Sequence, residues 1–337
     1  MVRALVLVCL LCSQLLAQAL TGPAFAYPSR TQARHAVAAP HGVDCQKGRP
    51  VLPGHTAASS EACRPSTPIR GRYADRYFVT SDGVRLHYLE GGANHPHTVV
   101  FIPGWTMPAW IWMAQLDALS ARYHTIAFDP RGQGESAVPA EGYEPTRRGR
   151  DIRELLDHLD TAPAVVVAWS LGVLDTLAMI HVTGDRGVAG LVLVDNSVGE
   201  EPPPTPSPAA RVAHRGPPLD HAAFMYRFVA GMFHRRQPQA YLTRLTAATL
   251  RTPEFASRLL LAYPVPRTYW REAVYATSVP LLYCIRPTWL AQGENLLRKR
   301  PDTEMEVFAD AGHALFIDDA PRFNAGLIQF LRQKVWP

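Results

Sequence analysis

Six short runs, at residues 99–102, 125–128, 164–167, 191–194, 281–285 and 305–308, are almost wholly apolar and rich in Val, Ile, Leu and Phe. A strand with one wet face alternates apolar and polar residues, so runs this uniform suit strands covered on both faces. Between and after them, Ile152, Leu155, Leu156 and Leu159 recur at helical spacing, as do Phe323, Leu327, Phe330 and Leu331. Alternating strands and helices predict an α/β fold: a mostly parallel central sheet with helices on both faces. Ahead of this pattern, residues 77–80 and 84–89 alternate around Ser81-Asp82-Gly83 and read as a hairpin, an antiparallel edge.

One interval is out of scale. About eighty residues separate the run ending at Val194 from the one beginning near Val279, where a short connection is the norm. An inserted helical cap over residues 199–277 is expected. It opens with a Pro-rich stretch at 201–218 and continues with helical stretches at 222–233, 240–250, 253–261 and 268–276. Phe224, Phe228, Met232 and Phe233 are candidates to line a pocket beneath it, or to glue it to the body. The core proper is expected in two parts, 73–198 and 278–337.

The amino terminus addresses the compartment. Arg3, an apolar run over 4–16 and Ala24-Phe25-Ala26 form a signal peptide over 1–26, with Ala17-Gln18-Ala19 an alternative cleavage site. The apolar run is short for an uncleaved anchor, and Leu10 and Leu11 before Cys12 do not fit a lipoprotein signal. A periplasmic or secreted location follows, with no stable membrane insertion after cleavage. Residues 27–72 lack apolar periodicity and read as a Pro/Ala-rich, poorly ordered leader. Export would allow a Cys45–Cys63 disulfide, whereas Cys284, inside an apolar run, reads as a buried strand residue. The net charge of +5 is dispersed, so no basic stripe points to nucleic acid.

The chemistry centres on residues 165–172, Val-Val-Val-Ala-Trp-Ser-Leu-Gly, followed by a helical stretch at 173–182. A strand that runs through small-x-Ser-x-Gly into a helix is the context of a nucleophile elbow. Small residues at Ala168 and Gly172 let strand and helix approach, and the tight turn exposes the Ser170 hydroxyl. A serine hydroxyl needs a base within hydrogen-bond reach. Among thirteen histidines, His313 follows the last strand in a Gly-His turn, which returns a ring over the carboxyl end of the sheet. The oxyanion would be held by two N–H groups: Leu171, next to the nucleophile, and Trp105 in the Pro103-Gly104-Trp105-Thr106 loop, with Thr106 behind it.

Four motifs taken together, residues 101–105 (Phe-Ile-Pro-Gly-Trp), 128–136 (Phe-Asp-Pro-Arg-Gly-Gln-Gly-Glu-Ser), 168–172 and Gly312-His313, resemble in order and spacing the signatures of α/β-hydrolase-fold proteins. The resemblance runs from about residue 77 to the end and implies a serine hydrolase. At this level esterases, lactonases, cofactor-free haloperoxidases and acyl-carrier methyl esterases look alike. Ser170 stands where the family's dehalogenases and epoxide hydrolases carry aspartate, which argues against those two chemistries. The family's third triad member commonly follows the strand at 281–285, but here that strand leads into Arg286-Pro287-Thr288-Trp289. Some members take the acid from the end of the preceding strand, which offers Asp195; Glu294 is the alternative. Asp129, Asp318 and Asp319 read as loop and helix-start supports.

The His95-Pro96-His97 pair lacks a supporting ligand cluster and Gly132-Gln133-Gly134 lacks a third glycine in register, so no metal and no cofactor are expected. The sequence predicts a carboxylic ester hydrolase acting on a small-molecule ester, thioester or lactone through an acyl-enzyme. Its rivals are a cofactor-free haloperoxidase or perhydrolase, and a binding protein on a degenerate hydrolase scaffold.

Overall fold

The computed structural model describes residues 72–161, 163–203 and 220–337. The expected signal peptide, the expected leader up to residue 71, the Cys45–Cys63 pair and most of the Pro-rich stretch lie outside the described residues. Eight strands form one sheet in the order β1-β2-β4-β3-β5-β6-β7-β8. They are β1 (Ala74–Val79), β2 (Arg85–Gly91), β3 (Thr98–Ile102), β4 (His124–Asp129), β5 (Ala164–Trp169), β6 (Val188–Val194), β7 (Leu281–Ile285) and β8 (Glu304–Val307). The β1–β2 hairpin joins β4 antiparallel, and every other pairing is parallel.

Strands β3, β4, β5 and β7 are buried along their whole length, as their uniform apolarity requires. Their period of two sorts side chains onto opposite faces. Val100, Ile102, Val166, Leu191, Leu193 and Tyr283 enter one core, which is covered by α2 (Pro145–Leu159), α3 (Leu171–Thr183), α7 (Thr268–Ala276) and α8 (Leu290–Lys299). Val99, Phe101, Val167, Val192, Val194 and Cys284 enter the other, covered by α1 (Met113–Leu119), α9 (Leu315–Asp318) and α10 (Ala320–Phe330). Helix α3 follows the sheet between α2 and α7 and is buried at nearly every position, which is why it is apolar all round rather than amphipathic.

Between β6 and β7 the described residues form four helices, α4 (His221–Gly231), α5 (Gln239–Thr249), α6 (Glu254–Leu260) and α7. They fall close to the four stretches expected from sequence. The last packs along α3 and so acts as the crossover helix of the β6–β7 connection. Of the four candidate lining residues, Met232 and Phe233 are buried in the same core as α10, whereas Phe224 and Phe228 are partly buried and lie against Trp105. No helix among the described residues is long and apolar enough to cross a membrane.

Candidate active site

The parallel strands deliver their carboxyl ends to one edge, and the site is assembled there. Strand β5 ends at Trp169, and Ser170 turns the chain into α3 with φ 55° and ψ −120°. A non-glycine residue in this region is strained by about 1–3 kcal/mol. The turn persists because both sides are fixed: the Ser170 N–H donates to Val194 O at 3.0 Å, and Asn196 Nδ2 donates to Ser170 O at 2.7 Å. Gly172 is required by close approach, for a β-carbon there would lie 2.7 Å from the carbonyl oxygens of Ile102 and Pro103.

The Ser170 hydroxyl, half-buried, lies 2.8 Å from His313 Nε2. His313 Nδ1 lies 2.7 Å from Asp195 Oδ2. The three side chains therefore form one unbroken hydrogen-bonded relay, with both His313 and Asp195 buried. Asp195 follows β6 with φ 48°, and its N–H donates to Cys284 O at 2.9 Å. Glu294, the alternative acid, sits on α8 and makes no hydrogen bond to His313.

The electrostatics favour an ionised acid beside a neutral base. Burial alone would raise the Asp195 carboxyl, but the Arg286 guanidinium and His313 outweigh it and hold Asp195 below the ordinary carboxylate range. His313 is held below the ordinary imidazole value, first by burial and also by Arg286, against the upward pull of Asp195. A neutral imidazole can accept the serine proton.

The loop after β3 passes close to the serine. A β-carbon on Gly104 would lie 3.0 Å from Ser170 Cβ, so only glycine lets the backbone come this near. The Thr106 N–H donates to Gln133 Oε1 at 2.5 Å and is not free for a ligand. Among the described residues no backbone acceptor outside the helices and strands takes the Trp105 N–H or the Leu171 N–H. Trp105 Nε1 donates to Ser257 O of α6 at 2.8 Å, so the same residue ties the loop to the inserted helices.

Of the groups around the relay, some carried no signal in the sequence and others were expected as supports. Trp169 Nε1 donates to His313 O at 2.8 Å, and its ring lies against the imidazole with centroids 5.0 Å apart. Gln133 is fixed by the turn after β4. There Asp129 accepts from Ala109 N at 2.5 Å and Glu135 N at 2.9 Å and meets His87 Nδ1 at 2.7 Å, in keeping with its expected supporting role. Asp318 accepts from Gly312 N at 2.7 Å and from His234 N at 2.6 Å. It supports the turn of His313, again as expected. Arg286, noted only for what it is not, donates from Nε to Asp195 Oδ2 at 2.6 Å. Cys284 is a buried free thiol on β7, its ionisation pushed up by burial.

Comparison with known proteins follows the same lines. Residues 99–325 match the model of the alpha/beta hydrolase family. A non-heme chloroperoxidase of Kitasatospora aureofaciens is 27% identical over 276 residues, 76% of this chain and 98% of that protein. A soluble epoxide hydrolase of Corynebacterium sp. is 35% identical over 78 residues, 23% of this chain, and the match spans only 27% of that protein. Two solved structures share the fold at a TM-score of 0.65: an esterase from Rhodococcus sp. (22% identity, 77% of this chain and 99% of that one) and a bromoperoxidase from Bacillus anthracis (20% identity, 77% and 100%). With its sheet, its strained serine turn and the matched span in agreement, the chain belongs to the alpha/beta hydrolase family.

Proposed function

We propose that the protein is an exported serine hydrolase that cleaves a carboxylic ester, thioester or lactone through an acyl-enzyme. The observation that carries this reading is the continuous relay from Ser170 Oγ through His313 to Asp195. Ser170 Oγ attacks the carbonyl carbon as His313 Nε2 takes its proton. Asp195 stabilises the imidazolium, and the Trp105 and Leu171 N–H groups receive the oxyanion. His313 then protonates the leaving group, and a water activated by the same ring releases the acid. The inserted helices before α7 act as the cap, with Phe224 and Phe228 beside Trp105 as an apolar wall for the acyl chain. A cleaved signal peptide would deliver the enzyme to the periplasm or beyond.

A second reading is favoured by the chloroperoxidase alignment, which spans nearly all of that relative. In it the same acyl-enzyme is trapped by peroxide and releases a peracid. The epoxide hydrolase relatives favour no third reading, because Ser170 offers a hydroxyl where that chemistry uses a carboxylate. A fluorophosphonate probe tests the shared step: wild type should be labelled and Ser170→Ala should not. Absence of labelling in folded wild type would overturn both readings in favour of a binding protein. Water and peroxide, compared as acceptors on a panel of esters of varied acyl length, then separate the two.

A further inference from the structure

Asp195 is held by more than the histidine. Its Oδ2 is shared between His313 Nδ1 at 2.7 Å and Arg286 Nε at 2.6 Å, and its Oδ1 accepts the Arg286 N–H at 3.1 Å. Arg286 thus grips both oxygens, one from its main chain and one from its side chain, just past the end of β7. The contact is largely out of water, with side-chain exposures of 12% for Arg286 and 0% for Asp195. The arginine itself is fixed, since its carbonyl accepts from Trp289 N at 3.0 Å and Pro287 restrains its backbone.

We propose, on the hydrolase reading above, that Arg286 is a positioning residue of the relay: it locks the Asp195 carboxylate at the angle His313 needs and sets a fixed positive charge on the same oxygen that His313 holds. Without the guanidinium, the carboxylate would keep only the residue-286 N–H and His313, would be held less firmly, and would act on the imidazole at full strength. With it, the carboxylate still orients the ring but is partly neutralised. His313 therefore stays neutral, and able to accept the serine proton, to lower pH. The charged and titratable groups acting on the pair are few. Asp195 and the neutral Ser170 hydroxyl touch His313, and the Arg286 guanidinium acts on it across the shared Asp195 oxygen. Arg286, His313 and the Tyr283 phenol face Asp195, and burial holds that phenol neutral.

The test uses the full chain as wild type, Arg286→Met and Arg286→Lys. The His313 imidazole is titrated by NMR, which needs no substrate, and kcat and KM are measured against pH on an ester found by the panel. In Arg286→Met the imidazole midpoint should move to higher pH and kcat should fall on the order of 10- to 100-fold, with KM little changed. Arg286→Lys keeps the charge but loses the guanidinium geometry, so it should recover most of the midpoint and only part of kcat. A packing role alone would lower stability and leave the midpoint in place; an unmoved midpoint in folded Arg286→Met overturns the proposal. Should that variant fail to fold, Arg286→Lys decides, because an unchanged kcat in it also refutes the role. Fluorophosphonate labelling of wild type keeps the two readings apart. A labelled protein with an unmoved midpoint loses only the Arg286 proposal, while an unlabelled one with a moved midpoint loses only the hydrolase.

Discussion

Ser170 and Asp195 both sit at strand ends with positive φ, and each spends backbone energy to aim a side chain. For Ser170 this predicts a trade: Ser170→Gly should abolish turnover yet raise stability by roughly 1 kcal/mol, since glycine adopts such backbone freely; denaturant unfolding beside an activity assay checks both. The lowered imidazole of His313 gives a sign for the pH profile. Only the neutral ring can take the serine proton, so the acid-side midpoint of kcat/KM should lie below the ordinary histidine value of about 6.5. Activity should fall as the pH drops through that midpoint. Asp195→Ala should reduce turnover by about 10⁴ while Glu294→Ala leaves it near wild type, and steady-state kinetics of the two variants decides whether Asp195 is the acid. Ser170 and His313 were legible because each lies in a local motif whose chain context announces a turn. Arg286, Trp169 and Gln133 were not, because each acts through a partner 27 to 144 residues away, and no local spacing encodes such contacts.

Elements were easier to read than their neighbours. The inner strands β3, β4, β5 and β7 showed because burial on both faces forces uniform apolarity over five or six residues, whereas β8, expected to be covered on both faces, is a half-buried strand at the sheet edge. Short α1 did not show, for seven residues give too few turns for a period to emerge. The order of strands was equally hidden, being a matter of pairing between distant segments. The α2–α3 contact adds a case that periodicity misses. Arg148 of α2 and Asp175 of α3 are both buried, with Nη2 and Oδ1 3.1 Å apart, yet the two atoms are not aligned as a hydrogen bond. Burial, set against the nearby guanidinium, pushes the Asp175 carboxyl up to about 6. Removing one charge from such a pair strands the other, whereas apolar replacement of both is often neutral. Arg148→Met should therefore cost about 3–5 kcal/mol at neutral pH, and Arg148→Met with Asp175→Leu should recover most of it. Denaturation of the two variants measures the difference, and the single variant should regain stability on acidification, as protonation relieves the stranded Asp175.

At the scale of the molecule, the insertion is fastened to the catalytic edge at several points. The Asp318 carboxylate joins the Gly312 N–H beside His313 to the His234 and Arg235 N–H groups after α4, and the Ala314 N–H donates to Met232 O at 3.1 Å. Asp318→Asn keeps the shape but forfeits the charge and one acceptor, so both sides should loosen together. Amide exchange should rise at 232–235 and at 312–314 in step, and kcat should fall by about tenfold, whereas exchange rising on one side alone would mean the two are not joined through this carboxylate. Ser170 and Asp195 differ from His313 in this respect. Ser170 and Asp195 follow adjacent strands paired up to Trp169 and Val194, so their spacing is as stiff as the sheet itself. The imidazole alone arrives on a loop, and that loop is moored to the inserted helices. A substrate, inhibitor or neighbour that tilts those helices would thus act through the imidazole and through the Trp105 loop, while Ser170 and Asp195 stay put like jaws of a fixed vice.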